Sequence, residues 1–222
     1  MLKLNHSQVE LDKQLILSID NITLSYGQFN VLAGPSGAGK STFLHLISGQ
    51  LKATRGSIHW QDKGLDSLSD NDCSRWRNQE VGFIFQDFYL IPSLSALENV
   101  ILQHSFSHWR ISTALREQAT TLLNQFGITD IHKNINQFSR GEKQRIALAR
   151  AFSGDPSIIL ADEPTASLDK DNAKFVIEQL KQQAKQGKFV LAVSHDPLVI
   201  AQADHTVYLE RGIIQYESTD AA

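Results

Sequence analysis

A glycine-rich segment at residues 34–41 carries the clearest chemistry in this sequence. It reads Gly-Pro-Ser-Gly-Ala-Gly-Lys-Ser and fits G-x-x-x-x-G-K-[ST], a pattern in which backbone N–H groups cradle phosphates. A short apolar run precedes it and a helical run follows it, so the positive end of a helix faces the same anion. In this pattern the Lys40 ammonium reaches the outer phosphates and the Ser41 hydroxyl holds Mg²⁺. We therefore predict a nucleotide site at Gly34, Pro35, Ser36, Gly37, Ala38, Gly39, Lys40, Ser41 and Thr42.

Two adjacent carboxylates follow another apolar run. Residues 158–161 read Ile-Ile-Leu-Ala, and Asp162 and Glu163 come directly after them. Hydrolysis of a nucleoside triphosphate needs a carboxylate on the metal side and a group that orients water. We expect Asp162 to face Mg²⁺ through water and Glu163 to act as the general base. The alternative for this pair is two solvated carboxylates at the end of a strand.

Four more motifs occur at intervals along the chain. Gln86 follows a strand-like run, residues 138–145 read Phe-Ser-Arg-Gly-Glu-Lys-Gln-Arg, residues 167–169 read Ser-Leu-Asp, and His195 follows a second strand-like run. With the phosphate loop and the two carboxylates, they resemble the motifs of the ABC ATPases, the nucleotide-binding subunits of ATP-binding cassette transporters. The resemblance covers essentially residues 1–216. It implies an ATPase that converts ATP and water to ADP and phosphate, coupled to translocation of a substrate.

The resemblance also implies a role for each motif. Its catalytic residues are Glu163, His195, Gln86 and Lys40, and its Mg²⁺ ligands are Ser41, Gln86 and Asp162. The Ser139-x-x-Glu142 spacing is a capping box, which opens a helix and makes a second anion site. In this family that site serves the ATP of a second subunit in a head-to-tail dimer. The residues implied there are Ser139, Gly141, Glu142 and Asp169, and we favour a homodimer over a heterodimer.

The order of strand-like and helical runs predicts an α/β fold. We expect strands at Leu15–Ile19, Phe29–Ala33, Gly82–Phe85, Ile158–Asp162, Phe189–Ser194 and Thr206–Glu210. An apolar stripe from Ile111 to Phe126 has helical spacing and ends at Gly127. The resemblance implies a P-loop NTPase core sheet with an inserted α-helical subdomain. The expected division of the single ABC ATPase domain, 1–216, is a RecA-like core at about 1–86 and 154–216, a helical subdomain at about 87–153, and a short tail at 217–222.

Two positions depart from the family pattern. Arg140 stands where the signature motif has Gly, and a positive φ there would cost of order 1 kcal/mol. Alternatively, the Arg140 side chain points outward or adds positive charge near the phosphates, and we expect an altered rate at this half-site. The second departure is the missing aromatic residue in Ser7–Leu11, where the family stacks a ring on adenine. Tyr26 lies too close to the loop to replace it, and its alternative role is packing at a strand end.

Composition excludes several classes of function. The chain has 222 residues and a net charge of -3, which argues against nucleic acid as a partner. Apolar runs are far shorter than the roughly 20 residues of a membrane helix, and the N-terminal residues lack the apolar core of a signal peptide. With a single cysteine, Cys73, we expect a peripheral protein at the cytoplasmic face of the inner or plasma membrane. His104 and His108 have i, i+4 spacing but no evident third metal ligand.

Two segments point to one branch of the family. Residues 77–86 and 90–100 resemble the branch that includes lipoprotein-releasing, macrolide-efflux and cell-division ATPases. The resemblance implies the motor of an export or lipoprotein-extraction complex, with an integral membrane permease docked near Phe88–Val100. The alternative is a regulator of the same build that drives an extracytoplasmic enzyme through a membrane protein. The apolar side chains in Phe88–Val100 form either this docking surface or the packing of the helical subdomain.

Overall fold

The computed structural model of the protein describes residues 1–105 and 111–219, so His108 lies outside the described residues. The strands are β1 (Leu2–Leu11), β2 (Gln14–Leu24), β3 (Phe29–Ala33), β4 (Arg55–Trp60), β5 (Lys63–Gly64), β6 (Val81–Ile84), β7 (Ile158–Asp162), β8 (Phe189–Ser194), β9 (His205–Glu210) and β10 (Ile213–Thr219). The α-helices are α1 (Lys40–Ile47), α2 (Asp70–Glu80), α3 (Ala96–Ser105), α4 (Thr113–Gln125), α5 (Arg140–Phe152), α6 (Lys170–Lys185) and α7 (Pro197–Ile200).

The central sheet has six strands in the order β10-β9-β3-β8-β7-β6. Every neighbouring pair is parallel except β10 with β9. All residues of β3 and β8 are buried, as expected for strands that are covered on both faces. The register aligns Ala33 with Ser194 and Asp162 with Val193, so three of these strands end at the same edge. This alignment brings together the loops that follow β3, β7 and β8.

A second, antiparallel sheet has the order β2-β1-β4-β5. The sequence predicted only Leu15–Ile19 within it and missed β1 and β4. The alternation of β1 is broken at His6, which has a φ of 45°, and the pairing with β2 shifts register after Val9. One face of the central sheet packs on this sheet and on α1. That core includes Leu4, Leu17, Leu32, Phe43, Leu160 and Leu191.

The other face of the central sheet packs against helices α3 to α6. Alternate strand residues such as Val31 and Ala192 share one core with side chains from these helices. The predicted stripe is present in α4, whose Ala119 and Leu123 are fully buried, and the chain turns at Gly127 with a φ of 78°. Because α5 contributes to the same core as the sheet, the division into core and helical subdomain stays a prediction.

Two details concern the ends and surfaces of the chain. Strand β10 extends to Thr219, so residues 217–219 belong to a strand, whereas the sequence placed them in a tail. Among the residues that the structure describes, no helix has both the length and the apolar character to cross a membrane.

Candidate nucleotide site

The glycine-rich loop joins β3 to α1 and depends on backbone shapes that side chains would prevent. Gly34 has a φ of 153°, and a Cβ there would collide with the backbone carbonyl of Leu209. Gly39 precedes α1 with a φ of 101°, and a Cβ there would lie 2.8 Å from Leu17 Cδ2. The loop is therefore held between β9 and β2 with no room for larger residues at these two positions.

Lys40 is the first residue of α1 and is 7% exposed. Its Nζ donates hydrogen bonds to the carbonyl oxygens of Gly34 at 2.9 Å and Pro35 at 3.0 Å. The same ammonium lies 3.8 Å from Glu163 Oε1. Its charge is thus held at the loop interior, close to the carboxylate expected to activate water.

Glu163 is the centre of a second set of contacts. Its backbone has a φ of 44°, and its N–H donates to the Val193 carbonyl at 2.9 Å, so β8 fixes this turn. His195 Nδ1 lies 2.7 Å from Glu163 Oε1, and the Ser194 hydroxyl donates to Oε2 at 3.2 Å. The Glu163 side chain is only 12% exposed, whereas His195 is 69% exposed. A carboxylate with both oxygens held is suited to act as an oriented base.

Asp162 lies one residue before Glu163, at the end of β7. Burial raises the pKa of the Asp162 carboxyl, while a hydrogen bond from the Ser41 side chain acts in the opposite direction. Raising the pKa of a carboxyl means that its charge is poorly solvated in this pocket. A bound cation beside Asp162 and Ser41 would relieve that cost.

Predicted residues from three segments, the glycine-rich loop, Gln86 and the Asp162–Glu163 pair, meet in one cavity of about 280 Å³. Its lining residues are Ile16, Ser36, Gly37, Gly39, Lys40, Ser41, Thr42, Gln86, Asp162 and Glu163. Gly34, Pro35 and Ala38 do not line it; they support the loop, as in the Ala38 N–H bond to the Pro35 carbonyl at 3.2 Å. Sequence analysis missed Ile16, because an aliphatic residue within an apolar strand carries no motif.

The structure separates the signature residues from this cavity, since none of them is among its lining residues. The capping box is formed: the Glu142 N–H donates to Ser139 Oγ at 3.3 Å, and the Ser139 N–H donates to Glu142 Oε2 at 2.7 Å. The hydrogen bonds from the Ser139 N–H and side chain lower the pKa of the Glu142 carboxyl. The Ser139 backbone and side chain are therefore fixed at the start of α5.

Asn172, which the sequence reading missed, joins the signature motif to the 167–169 motif. A Cβ on Gly141 would lie 2.6 Å from Asn172 Nδ2, so a larger residue at position 141 would have to displace the Asn172 side chain. Asn172 Nδ2 donates to Asp169 Oδ2 at 2.7 Å, and Arg145 donates to Asn172 Oδ1 at 3.1 Å. Asp169 itself caps α6 by accepting from the Asn172 N–H at 2.9 Å.

The expectation of backbone strain at Arg140 is wrong. Arg140 is the first residue of α5 and is not among the residues with positive φ. Its side chain lies against Phe88, with Cζ 5.2 Å from the centroid of that ring. Tyr26 is packed, as its alternative role required, edge-on against Trp60 at 6.4 Å and Phe189 at 5.6 Å.

Comparison with known proteins agrees with this geometry. The family model described as "ABC transporter" matches residues 17–166. The chain belongs to the ABC transporter ATP-binding family. Lipoprotein-releasing system ATP-binding protein LolD 1 of Chlorobium chlorochromatii is 32% identical over 226 residues, covering 98% of this chain and 91% of the relative. Macrolide export ATP-binding/permease protein MacB of Bdellovibrio bacteriovorus is 35% identical over 214 residues, covering 96% of this chain and 32% of the longer relative.

A solved structure agrees as well. The cassette MJ0796 of Methanocaldococcus jannaschii, solved as a dimer bound to ADP and Pi, has a TM-score of 0.88 and 33% identity, with full coverage of both chains. Membership of this family makes the chain an ATPase and the ATP-binding subunit of a transporter. The α/β fold and the resemblance inferred from the sequence are confirmed.

Proposed function

We propose that the cavity lined by the glycine-rich loop, Gln86, Asp162 and Glu163 binds ATP and that Glu163 activates the attacking water. The observation that carries this proposal is the meeting of Lys40, Ser41, Asp162 and Glu163 in one cavity. Lys40 places positive charge at the outer phosphates, and the loop N–H groups at the start of α1 hold the inner ones. Glu163 accepts a proton from the attacking water while the water oxygen bonds to the γ-phosphorus. The bond between the γ-phosphorus and the β–γ bridging oxygen breaks, and that oxygen leaves with ADP.

His195 has a positioning role in this scheme and contacts the nucleotide. Because carboxylate and phosphate oxygens both accept hydrogen bonds, both ring nitrogens must carry a proton: Nδ1–H donates to Glu163 Oε1, and the γ-phosphate accepts from Nε2–H. The 69% exposure of His195 keeps that nitrogen accessible. Gln86, which also lines the cavity, is suited to detect the terminal phosphate.

Mg²⁺ fits the oxygen atoms of this cavity. Within residues 1–105 and 111–219, no three His, Cys, Asp or Glu side chains form a metal cluster, so the phosphates and water must supply further ligands. Ser41, Gln86 and Asp162 would hold the ion, which prefers hard oxygen ligands and few protein groups. When bound, it would neutralise charge on the outer phosphates.

A second subunit completes the site in this proposal. Ser139, Gly141 and Glu142 form a capped helix start outside their own chain's cavity, which suits them to the γ-phosphate of a partner. The solved dimer of MJ0796 supports two-cassette assembly. Since one chain carries all the motifs, we propose a homodimer.

We further propose a peripheral position at the cytoplasmic face of the membrane, in an export or lipoprotein-release complex. The similarity to LolD and MacB supports this branch. Tyr89 is 65% exposed and Ile91 39% exposed in the segment Phe88–Val100, which offers apolar surface to a membrane permease.

Affinity purification from detergent-solubilised native membranes, with mass spectrometry of the bound proteins, tests the proposed complex. We expect a membrane protein with few helices and a large extracytoplasmic domain, captured less well by the Tyr89→Ala variant. The matched control is Tyr216→Ala, another exposed tyrosine on β10. A many-helix permease would contradict the export branch, and equal capture by Tyr89→Ala and Tyr216→Ala would contradict the docking surface.

A further inference from the structure

Residues 85–89, which we call the aromatic corner, follow β6 and contain Gln86. The corner contains two consecutive non-glycine residues with left-handed backbones: Phe88 with a φ of 55° and Tyr89 with a φ of 46°. Such conformations persist only where neighbouring groups hold them. The ring of Tyr89 packs edge-on against Phe85 at 5.0 Å, which closes the corner on itself.

Helix α5 holds the backbone of this corner with Arg150. Its Nη1 donates to the Tyr89 carbonyl at 2.7 Å and its Nη2 to the Phe88 carbonyl at 2.5 Å. Burial lowers the pKa of the Arg150 guanidinium to about 10, so the group stays protonated at neutral pH and both hydrogen bonds are charge-assisted. The two left-handed residues are thereby attached to the C-terminal part of α5.

The N-terminal end of α5 contacts the same corner through Arg140. The Arg140 guanidinium lies over the Phe88 ring at 5.2 Å, within the range of a cation–π contact. Arg140 precedes Arg150 by ten residues, about 15 Å along a helix. The aromatic corner therefore contacts α5 at two points about 15 Å apart. At one of them the Phe88 ring lies against Arg140, the residue next to Ser139.

We propose that Arg140 is a positioning residue, which joins the start of α5 to the aromatic corner through Phe88. Gln86 lies in the chain's own phosphate cavity, whereas Ser139 and Gly141 serve the partner's nucleotide. Through the Arg140–Phe88 contact, the position of the signature motif depends on the position of the aromatic corner, which contains Gln86. This inference rests on the proposed two-subunit site.

A double-mutant cycle tests the contact. In chains that carry Glu163→Gln, sedimentation with Mg²⁺-ATP measures the dimer dissociation constant for the parent, Arg140→Ala, Phe88→Leu and the double variant. Alanine preserves the helix start, and removal of one cation–π contact should weaken the dimer by about 2- to 5-fold. We expect the double variant to be no weaker than either single variant, since both remove the same contact.

Control variants separate positioning from general damage. Arg140→Lys and Phe88→Tyr keep a cation and a ring, so both should retain the parent dissociation constant. ATP affinity of the monomer should be unchanged in every variant, because neither side chain lines the cavity. Independent effects that multiply in the double variant would overturn the inference, as would a loss of dimer in Arg140→Lys equal to that in Arg140→Ala. A parent that fails to dimerise would instead refute the two-subunit site itself.

Discussion

Replacement of Glu163 by Gln tests the proposed base most sharply, because it removes the charge and keeps the shape. A positioned general base contributes about 10²- to 10⁴-fold to rate, or roughly 3 to 5 kcal/mol of barrier. We expect the kcat of Glu163→Gln to fall by that factor. The variant should bind ATP as tightly as wild type or more tightly, because the Glu163 carboxylate, 3.8 Å from the Lys40 ammonium, no longer competes with ATP for that charge. At an effective dielectric of about 20 that attraction has an upper limit near 4 kcal/mol.

The geometry also fixes how Glu163 and His195 combine. Because His195 Nδ1 contacts Glu163 Oε1 at 2.7 Å, the two groups should act as one unit. We expect His195→Ala to lower kcat strongly and the double variant to be no slower than Glu163→Gln alone. Ser194→Ala removes the 3.2 Å hydrogen bond to Oε2 and the one that Ser194 Oγ accepts from the Asp196 N–H at 3.0 Å, and a loss of about 2- to 10-fold is expected.

Phosphate release measured at saturating Mg²⁺-ATP gives kcat, and calorimetric titration of each variant gives the ATP dissociation constant. Ser194→Ala keeps the Glu163 carboxylate and weakens the support of the loop that carries it. A much smaller loss of kcat in Ser194→Ala than in Glu163→Gln would therefore show that kcat depends on proton acceptance rather than on loop support. Wild-type kcat in Glu163→Gln would refute the assignment of the base. Losses from Glu163→Gln and His195→Ala that multiply in the double variant would refute their action as a unit.

Three further expectations concern binding and stability. Lys40→Ala should abolish ATP binding measured by calorimetry, because the substitution removes the Lys40 ammonium from the cavity lining. Retained tight binding would overturn the phosphate-loop assignment. Because burial raises the pKa of Asp162, nucleotide-free protein loses stability as pH rises through that pKa. Asp162→Asn should therefore melt higher than wild type at pH 7, with a difference that shrinks toward the ordinary Asp pKa near 3.9; a pH-independent difference would contradict this cause. Among the residues that the structure describes, the cavity lining includes the aliphatic Ile16 and no aromatic side chain. GTP should therefore compete for ATP binding within about 10-fold, and a larger preference would contradict weak base selection.

Local motifs made most of the site predictable from sequence. The glycine loop, the Asp162–Glu163 pair and His195 each follow an apolar strand, and parallel strands bring their ends to one edge. The antiparallel sheet was mostly missed, because the polar residues and bulge of β1 interrupt its alternation and its second partner, β4, lies far along the chain.

Contacts between distant residues could not be inferred in the same way. The unusual identity of Arg140 is visible in the sequence, but its contact with Phe88 depends on how α5 crosses the corner after β6. Asn172 belongs to no motif, and only the packing of α5 on α6 shows that it lies against Gly141. Such residues become functional candidates only through tertiary structure.

The most direct measurement is the mass of Glu163→Gln in solution with Mg²⁺-ATP and with Mg²⁺-ADP. If ATP joins two copies through Lys40 of one and Ser139 of the other, sedimentation with ATP should give twice the 24.8 kDa of the chain. The ADP sample should remain monomeric. Addition of Ser139→Glu should keep the protein monomeric with ATP, because its charge repels the γ-phosphate. A monomer at saturating ATP, or a dimer that persists with Ser139→Glu, would contradict the two-subunit nucleotide site.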